Sequence, residues 1–411
     1  MLKLNQRAML FRTVSRFLSI MAFCLLSGFT AFALAQADPA PASYPDQPAC
    51  KVNSVRQAPT SYENAARSPV SDLTAFTQLD SRGVYQVYVT GKDGGKPKCI
   101  SCATGAGFPR LDRNKPMISW HPSGKWLVVG VEETNHDLMW MPASWKRGLL
   151  QSGIWLNIWL TTPSGDRWYQ ITDFNKKTKG PSDGYVGVAF TPDGGKAVWA
   201  EIVNGNVLAN HFGVWKLYMA DFVVRPDGTP SLVKKQDISP AGARWLEPGN
   251  FAPDGVHLLL SSDIGMKDAQ GQDQFALDTV TGEVRNLTSS STVWDEHGLY
   301  SPDGKKISFM SSYPYRREAN SNKVASLKTE FMLMDSDGSH LQQITHFNVP
   351  GYPESQRKKT IAAVAGFSAD GSQLFATVMS SDKSFTKTNW VITFDGPCGN
   401  SRAERSPRRA R

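Results

Sequence analysis

The stretch Ser301–Ser312, SPDGKKISFMSS, constrains this chain more than any other, because its pattern recurs along the sequence. Pro302-Asp303-Gly304 has the chemistry of a tight turn: proline presets φ, aspartate bonds the neighbouring backbone, and glycine accepts a positive φ that other residues resist. Tyr300 precedes the turn, and Ile307 and Phe309 follow it in alternation with Ser308 and Met310, the period of a pleated strand. The unit is a β-hairpin.

Matching stretches are Trp120-His121-Pro122-Ser123-Gly124, Phe190-Thr191-Pro192-Asp193-Gly194, Phe251-Ala252-Pro253-Asp254-Gly255 and Phe367-Ser368-Ala369-Asp370-Gly371. Each has an aromatic two residues before the proline position. Five residues after that position stand Leu127, Ala197, Leu258, Ile307 and Leu374, and two further on Val129, Trp199, Leu260, Phe309 and Ala376. A degraded sixth copy is expected at Ser68-Pro69-Val70-Ser71-Asp72, leading into Leu73-Thr74-Ala75-Phe76. Each hairpin is followed by an apolar strand, a turn and a short strand closing on Ile or Leu plus Ser or Thr, as in Phe331–Gly338 running to Ile344-Thr345. The other copies close at Ile100-Ser101, Ile171-Thr172, Ile238-Ser239 and Leu287-Thr288. Four strands per repeat, six times over, predict an all-β fold: a six-bladed β-propeller of four-stranded antiparallel blades over residues 50–396.

The ends read differently. Lys3, Arg7, Arg12 and Arg16 precede an uncharged apolar run from Phe17 to Ala35, which reads as a secretory signal peptide over residues 1–37, cleaved near Ala35 or Ala37. A membrane anchor is the alternative reading of that run; the small residues that end it and the Pro-rich linker 38–49 favour cleavage, and with it no stable membrane insertion. Phe23 is too large for the lipobox that Cys24 would need. The formal charge of +8 belongs to the termini. The leader carries +4 and the Arg-rich tail from Ser401 another +4, so the residues between are balanced. A nucleic-acid partner is therefore not expected, and residues 397–411 read as Cys398 followed by a solvated, disordered end.

Beyond the leader the cysteines are Cys50, Cys99, Cys102 and Cys398, an even number that suits disulfides in an exported, periplasmic or secreted protein. The last blade has its turn at 369–371 and a third strand at Asn389–Phe394, but no fourth strand follows. The alternating segment Lys51–Gln57 is expected to supply it, closing the ring and removing a sheet edge. Cys50 and Cys398 then meet at one hairpin end and predict a disulfide. Cys99 and Cys102 can bridge only if the chain turns at Ser101, since residues three apart on a straight strand point to opposite faces. A redox pair or half a metal site are the functional readings of the same motif, against a local disulfide or two separate thiols.

The recurring SPDGKKISF unit followed by an apolar strand, a DG turn and a Leu-Thr closure resembles the repeat of TolB-like, WD40-like (PD40) bacterial propellers over roughly residues 50–396. That resemblance implies the fold; a propeller hosts many functions. The stretch between leader and first blade is too short for the α/β domain that precedes the propeller in TolB itself, so the Tol–Pal role is not carried over. In prolyl oligopeptidases a propeller caps a hydrolase domain, and the residues after 396 are expected to be too few for one here.

Topology separates the two ends of the propeller. The PDG turns share one end; the second-to-third strand and blade-to-blade connections share the other, and the long insertions collect there: 132–153, 174–185, 204–213, 263–273, 313–329 and 346–361. This loop-rich end is the candidate binding face. It carries Glu132, Glu133, His136, Trp140 and Trp145; Trp294, Asp295, Glu296 and His297; and Tyr313, Arg316 and Arg317. Alignment sets Glu247 of blade four level with Glu296 of blade five, aiming both at the central channel. Glu296 and His297, with His136 or Glu132, are the candidates for a divalent metal or for acid–base work; otherwise these are polar loop residues and no cofactor is expected. Oligogalacturonate lyases are propellers with a metal and histidines in that place, although no motif here matches theirs residue by residue. The string Gly180-Pro181-Ser182-Asp183-Gly184 fits G-x-S-x-G but lacks the strand and helix of a nucleophile elbow.

Two functions are compatible with these residues. One is a binding scaffold that takes a periplasmic protein, a peptide or another ligand through its loop face and channel. The other is a metal-assisted lyase or hydrolase acting on an anionic saccharide at the channel mouth.

Overall fold

In the computed structural model every PDG-type stretch turns as its residues dictate. The glycine N–H of each turn donates to the carbonyl three residues earlier, Gly124 to His121, Gly194 to Thr191, Gly255 to Ala252, Gly304 to Ser301 and Gly371 to Ser368, at 2.7–3.0 Å. These five glycines have φ between 66° and 74°, the left-handed region. The turn aspartate caps the bend: Asp303 Oδ1 accepts the Lys305 N–H at 3.0 Å, and Asp193 Oδ1 that of Gly195 at 2.8 Å. The structure describes residues 50–58, 62–91, 95–132, 143–174, 183–204, 213–266, 271–290, 292–321, 323, 326–380 and 386–398. The expected signal peptide, the linker up to Pro48 and Ala49, and the Arg-rich tail lie outside them.

The chain opens on β1 (Val52–Gln57). Blade one is β2 (Glu63–Arg67), β3 (Thr74–Leu79), β4 (Tyr85–Thr90) and β5 (Lys98–Cys99). Blade two is β6 (Met117–Trp120), β7 (Leu127–Glu132), helix α1 (Ala143–Gln151), β8 (Leu156–Thr161) and β9 (Trp168–Gln170). Blade three is β10 (Tyr185–Phe190), β11 (Lys196–Asn204), β12 (Val214–Val224) and β13 (Pro230–Asp237); blade four is β14 (Leu246–Phe251), β15 (His257–Ser262), β16 (Asp273–Asp278) and β17 (Val284–Asn286). Blade five is β18 (Asp295–Tyr300), β19 (Lys306–Ser311), β20 (Glu330–Asp335) and β21 (Gln342–Gln343), and blade six is β22 (Thr360–Phe367), β23 (Gln373–Ser380) and β24 (Lys387–Phe394). All six sheets are four-stranded, and the sixth has the order β1-β24-β23-β22. The helix α1 is the departure from the all-β expectation; it sits inside the insertion that follows β7.

Repetition in the sequence becomes repetition in the core. Leu127, Ala197, Leu258, Ile307 and Leu374 are all fully buried, and Val129, Trp199, Leu260, Phe309 and Ala376 nearly so. Residues two apart share a face, so in these five blades the second strand buries one face completely, where each large aliphatic contributes about 2 kcal/mol of burial. Polar and aromatic contacts tie each blade to the next. Trp120 Nε1 donates to Ala66 O at 2.9 Å, His121 Nε2 to Gly194 O at 3.0 Å, and Trp215 meets Trp245 edge to face at 5.2 Å. Tyr300 N donates to Asn250 Oδ1 at 2.7 Å, and Thr329 Oγ1 to Ala362 O at 2.8 Å. The ring closes where the Arg67 guanidinium lies 4.5 Å over the Phe375 ring.

As expected, the N-terminal strand completes the last blade: β1 pairs antiparallel with β24, from Val52 opposite Phe394 to Gln57 opposite Trp390. Cys50 and Cys398 are bonded at the end of that ladder, with Cα atoms 5.5 Å apart. Cys99 and Cys102 are bonded as well, at 5.6 Å, because β5 ends at Cys99 and the chain bends through Ile100 and Ser101.

The Cys50–Cys398 bridge spans 348 residues, so it restricts the unfolded chain strongly. Cys398→Ser should lower unfolding stability by roughly 2–5 kcal/mol, measured by urea denaturation of oxidised protein. An unchanged midpoint would show that the β1–β24 pairing closes the ring unaided.

Candidate functional site at the channel mouth

The innermost strand of each blade begins at the loop-rich end, so its first residues stand at that mouth of the channel. Five of these six strands slip register there: between Glu63 and Ala66 in β2, Val186 and Val188 in β10, Pro248 and Phe251 in β14, Glu296 and Leu299 in β18, and Ala362 and Val364 in β22. A bulge of this kind re-aims a side chain. In three strands the bulged residue has positive φ: Asn64 at 48°, Gly187 at 58° and His297 at 57°. For histidine that conformation costs on the order of 1 kcal/mol, which the contacts around His297 must offset.

Those contacts are specific. The His297 N–H donates to Ser261 Oγ at 3.1 Å and its Nδ1–H to Ala363 O of β22 at 2.8 Å. Its Nε2 is left 3.5 Å from Glu247 Oε2 of β14 and 4.0 Å from Glu296 Oε2. The inner strands of blades four, five and six thus meet at one point. Glycine permits the approach: a Cβ on Gly249 would lie 2.2 Å from Gly298 O, and one on Gly298 2.0 Å from Gln274 Oε1. Ligand atoms of Glu247, Glu296 and His297 lie within 4.8 Å of one another, the one such three-residue group of metal-ligand type among the described residues.

Electrostatics divides the three roles. Burial pushes the Glu296 carboxyl up; the charge of His297 opposes the rise, that of Glu247 adds to it, and the Trp294 indole N–H, 2.8 Å from Glu296 Oε2, takes a little away, leaving it raised to about 7. Burial also works against charge on Glu247, but His297 outweighs it and holds Glu247 below the usual carboxylate range. Burial opposes charge on His297 too, yet the two carboxylates raise it to about 10. At neutral pH the site holds an anionic Glu247 and a cationic His297, while Glu296, pushed up to about 7, divides between its acid and carboxylate forms. In its acid form Glu296 is a proton donor beside an ion pair; loss of that proton and of the one on His297 Nε2 would convert the set into three ligand atoms.

Other residues singled out in the sequence lie elsewhere or serve the scaffold. Glu132 is fully buried; it accepts from Asn114 Nδ2 at 2.6 Å and pairs with Lys146 at 3.1 Å, anchoring α1 to blade two rather than joining His297. Glu133, His136 and Trp140 lie outside the described residues, as does the side chain of Trp145 at the start of α1. Trp294 is buried and supports Glu296 through its indole. Asp295 points away from the channel group into the blade; burial and then the charge of Asp273 push it up to about 8. Tyr313 opens a short 3-10 turn, and Arg316 folds back over its ring at 3.8 Å, so this cation is engaged by its own turn. Arg317 is exposed. His121 is at the PDG end, bonded between blades two and three as given above.

A second polar node at the mouth went unread in the sequence. Tyr85 Oη donates to Glu63 Oε2 at 2.8 Å, Gln151 Nε2 of α1 donates to Tyr85 Oη at 2.8 Å, and Lys387 Nζ of β24 donates to Gln151 Oε1 at 2.9 Å. Its one sequence signal is that Glu63 precedes the bulged Asn64 as Glu296 precedes His297.

The charge pattern fixes a pH dependence. The pair needs both charges: the Glu247 contribution is present above its ordinary value of 4.5 and is lost as pH falls through its lowered one, taking the His297 contribution with it, and at the other end the His297 contribution is lost as pH rises through about 10. His297→Gln should therefore cost roughly 3 kcal/mol of stability near neutral pH and much less at acidic pH, where both carboxyls are protonated. Urea denaturation across pH checks this, and a loss independent of pH would mean that packing, not charge, had been removed.

No family model matches the chain, and no curated protein matches it either. Among solved structures it is similar to TolB from Acinetobacter baumannii, at 17% identity and a TM-score of 0.46 over 82% of this chain and 64% of that one. It is also similar to a TolB from Agrobacterium tumefaciens, at 16% identity and 0.44 over 70% and 82%, and to a puromycin-hydrolyzing peptidase from Mycobacterium tuberculosis, at 11% identity and 0.46 over 80% and 45%. The chain thus spans under two thirds of the Acinetobacter TolB and under half of the peptidase.

Proposed function

We propose that this chain is an exported, TolB-like propeller that binds a protein or peptide partner through its loop-rich end and channel mouth. The observation that carries the reading is the asymmetry of the two ends. One carries the five short PDG turns; the other gathers the long connections, helix α1 and the group Glu247–Glu296–His297. Two disulfides suit an oxidising compartment, in keeping with a signal peptide over residues 1–37. No helix among the described residues is long and apolar enough to cross a membrane.

A second reading has its own observation. The Nδ1–H of His297 is fixed on a backbone carbonyl, which leaves Nε2 directed between two carboxylates. Metal-ligating histidines are held in this way, and the three residues fit a divalent ion that would serve a lyase or hydrolase acting on an anionic saccharide.

Capture from the native periplasm by the processed protein should recover one partner. That partner should be lost with Glu247→Gln/Arg317→Glu and retained with Lys305→Glu at the PDG end. Recovery unaffected by the first variant would overturn the scaffold reading. Metal analysis separates the readings: one divalent ion per chain, absent from Glu296→Ala and His297→Ala, favours the enzyme.

A further inference from the structure

Besides the channel group, the loop-rich end holds a cleft of 840 Å³ between the insertion that follows β19 and the connection from β21 to β22. Among the described residues Lys328, Arg357, Lys358 and Lys359 line it together with one carboxylate, Glu318, so that lining carries more positive charge than negative. Glu318 is already paired with Lys328 at 2.6 Å. This excess is local, because the chain between leader and tail is balanced in charge.

The walls are held rigidly. Fully buried Glu330 accepts from Tyr315 Oη at 2.7 Å and from the Asn348 N–H at 2.8 Å through one oxygen. Its other oxygen accepts from the Phe347 N–H at 2.8 Å and Thr345 Oγ1 at 2.9 Å. Both sides of the cleft are thereby tied to β20. Asn348 adds a clamp, donating to Thr329 O and Thr360 O at 3.1 and 3.0 Å, and buried Glu354 accepts the His346 N–H at 3.0 Å. His346 stacks on Tyr352 at 3.8 Å, which stiffens the rim. Lys328 is set in place by the Tyr315 ring 4.5 Å beneath its ammonium.

Like charges fixed on a stiff frame repel, and the strain shows in Lys359, whose ammonium is held below its ordinary range by burial and then by Lys328. A bound anion would relieve that repulsion. The volume lies within the span of sites for small organic ligands, about 300–1,000 Å³, and the cations stand on separate walls, which suits several charged groups on one molecule better than a single ion.

We propose that the cleft between the β19–β20 insertion and the β21–β22 connection binds a small multivalent anion, one bearing two or more carboxylate or phosphate groups. The site shares no residue with the channel group. The test is calorimetric titration of the processed, disulfide-bonded chain with trigalacturonate and, separately, with inorganic tripolyphosphate, at low salt and at about 0.15 M. Binding of either probe, weakened by salt and at least about tenfold weaker in Arg357→Ala/Lys359→Ala but not in Lys305→Ala, supports the site and identifies the source of charge. Arg357 and Lys358 are exposed, so Arg357→Ala/Lys358→Ala serves as a second variant should the first unfold. Three results would overturn the proposal: neither probe binding at low salt, binding insensitive to both double variants, or hexaglutamate peptide binding where both small anions fail.

Discussion

Everything in this molecule rests on pairing the first strand of the ring with the last. Each blade buries its faces against two neighbours, so an open ring would leave two sheet faces and two edges in water. The β1–β24 ladder closes that gap, and the Cys50–Cys398 bridge fixes its end. Closure also positions the channel mouth: β22, whose Ala363 carbonyl orients His297, belongs to the blade that β1 completes. The site geometry is therefore a property of the whole ring, not of blade five alone.

How much of this could be read from residues depends on how local each signal is. The PDG turns were legible because turn chemistry is local: a positive-φ glycine and a capping aspartate are needed whatever surrounds them. The degraded copy at 68–72 stood out only by its register with the others. The missing fourth strand of blade six was legible because a four-strand count leaves a debt that only one unassigned segment can meet. Cys99 and Cys102 stayed open, since the bend that brings them together depends on where β5 stops.

The channel group shows where such reasoning ends. Repeat alignment put Glu247 level with Glu296, but Ala363 and Ser261, which hold His297, are long-range partners with no motif. Glu132 has the same chemistry as Glu296 and a neighbouring insertion, yet it turns inward because Asn114 and Lys146 give its charge partners there. Helix α1 was missed because insertions carry no repeat to align against. The basic cleft was missed for a related reason: the run Arg357-Lys358-Lys359 reads as a solvated segment until Lys328 is set opposite it by the fold.

Circular closure also has a cost in time. The segment at one end of the ring must wait, unpaired, until the other end has been made, because its only partner is β24, more than three hundred residues away. Contacts of such sequence separation form late and slowly. Until then β24 presents a bare edge of the kind that invites association between unfinished copies. A chain built this way gains from being delivered unfolded, across a membrane for instance, and assembled only once both ends have arrived in a compartment where thiols are oxidised.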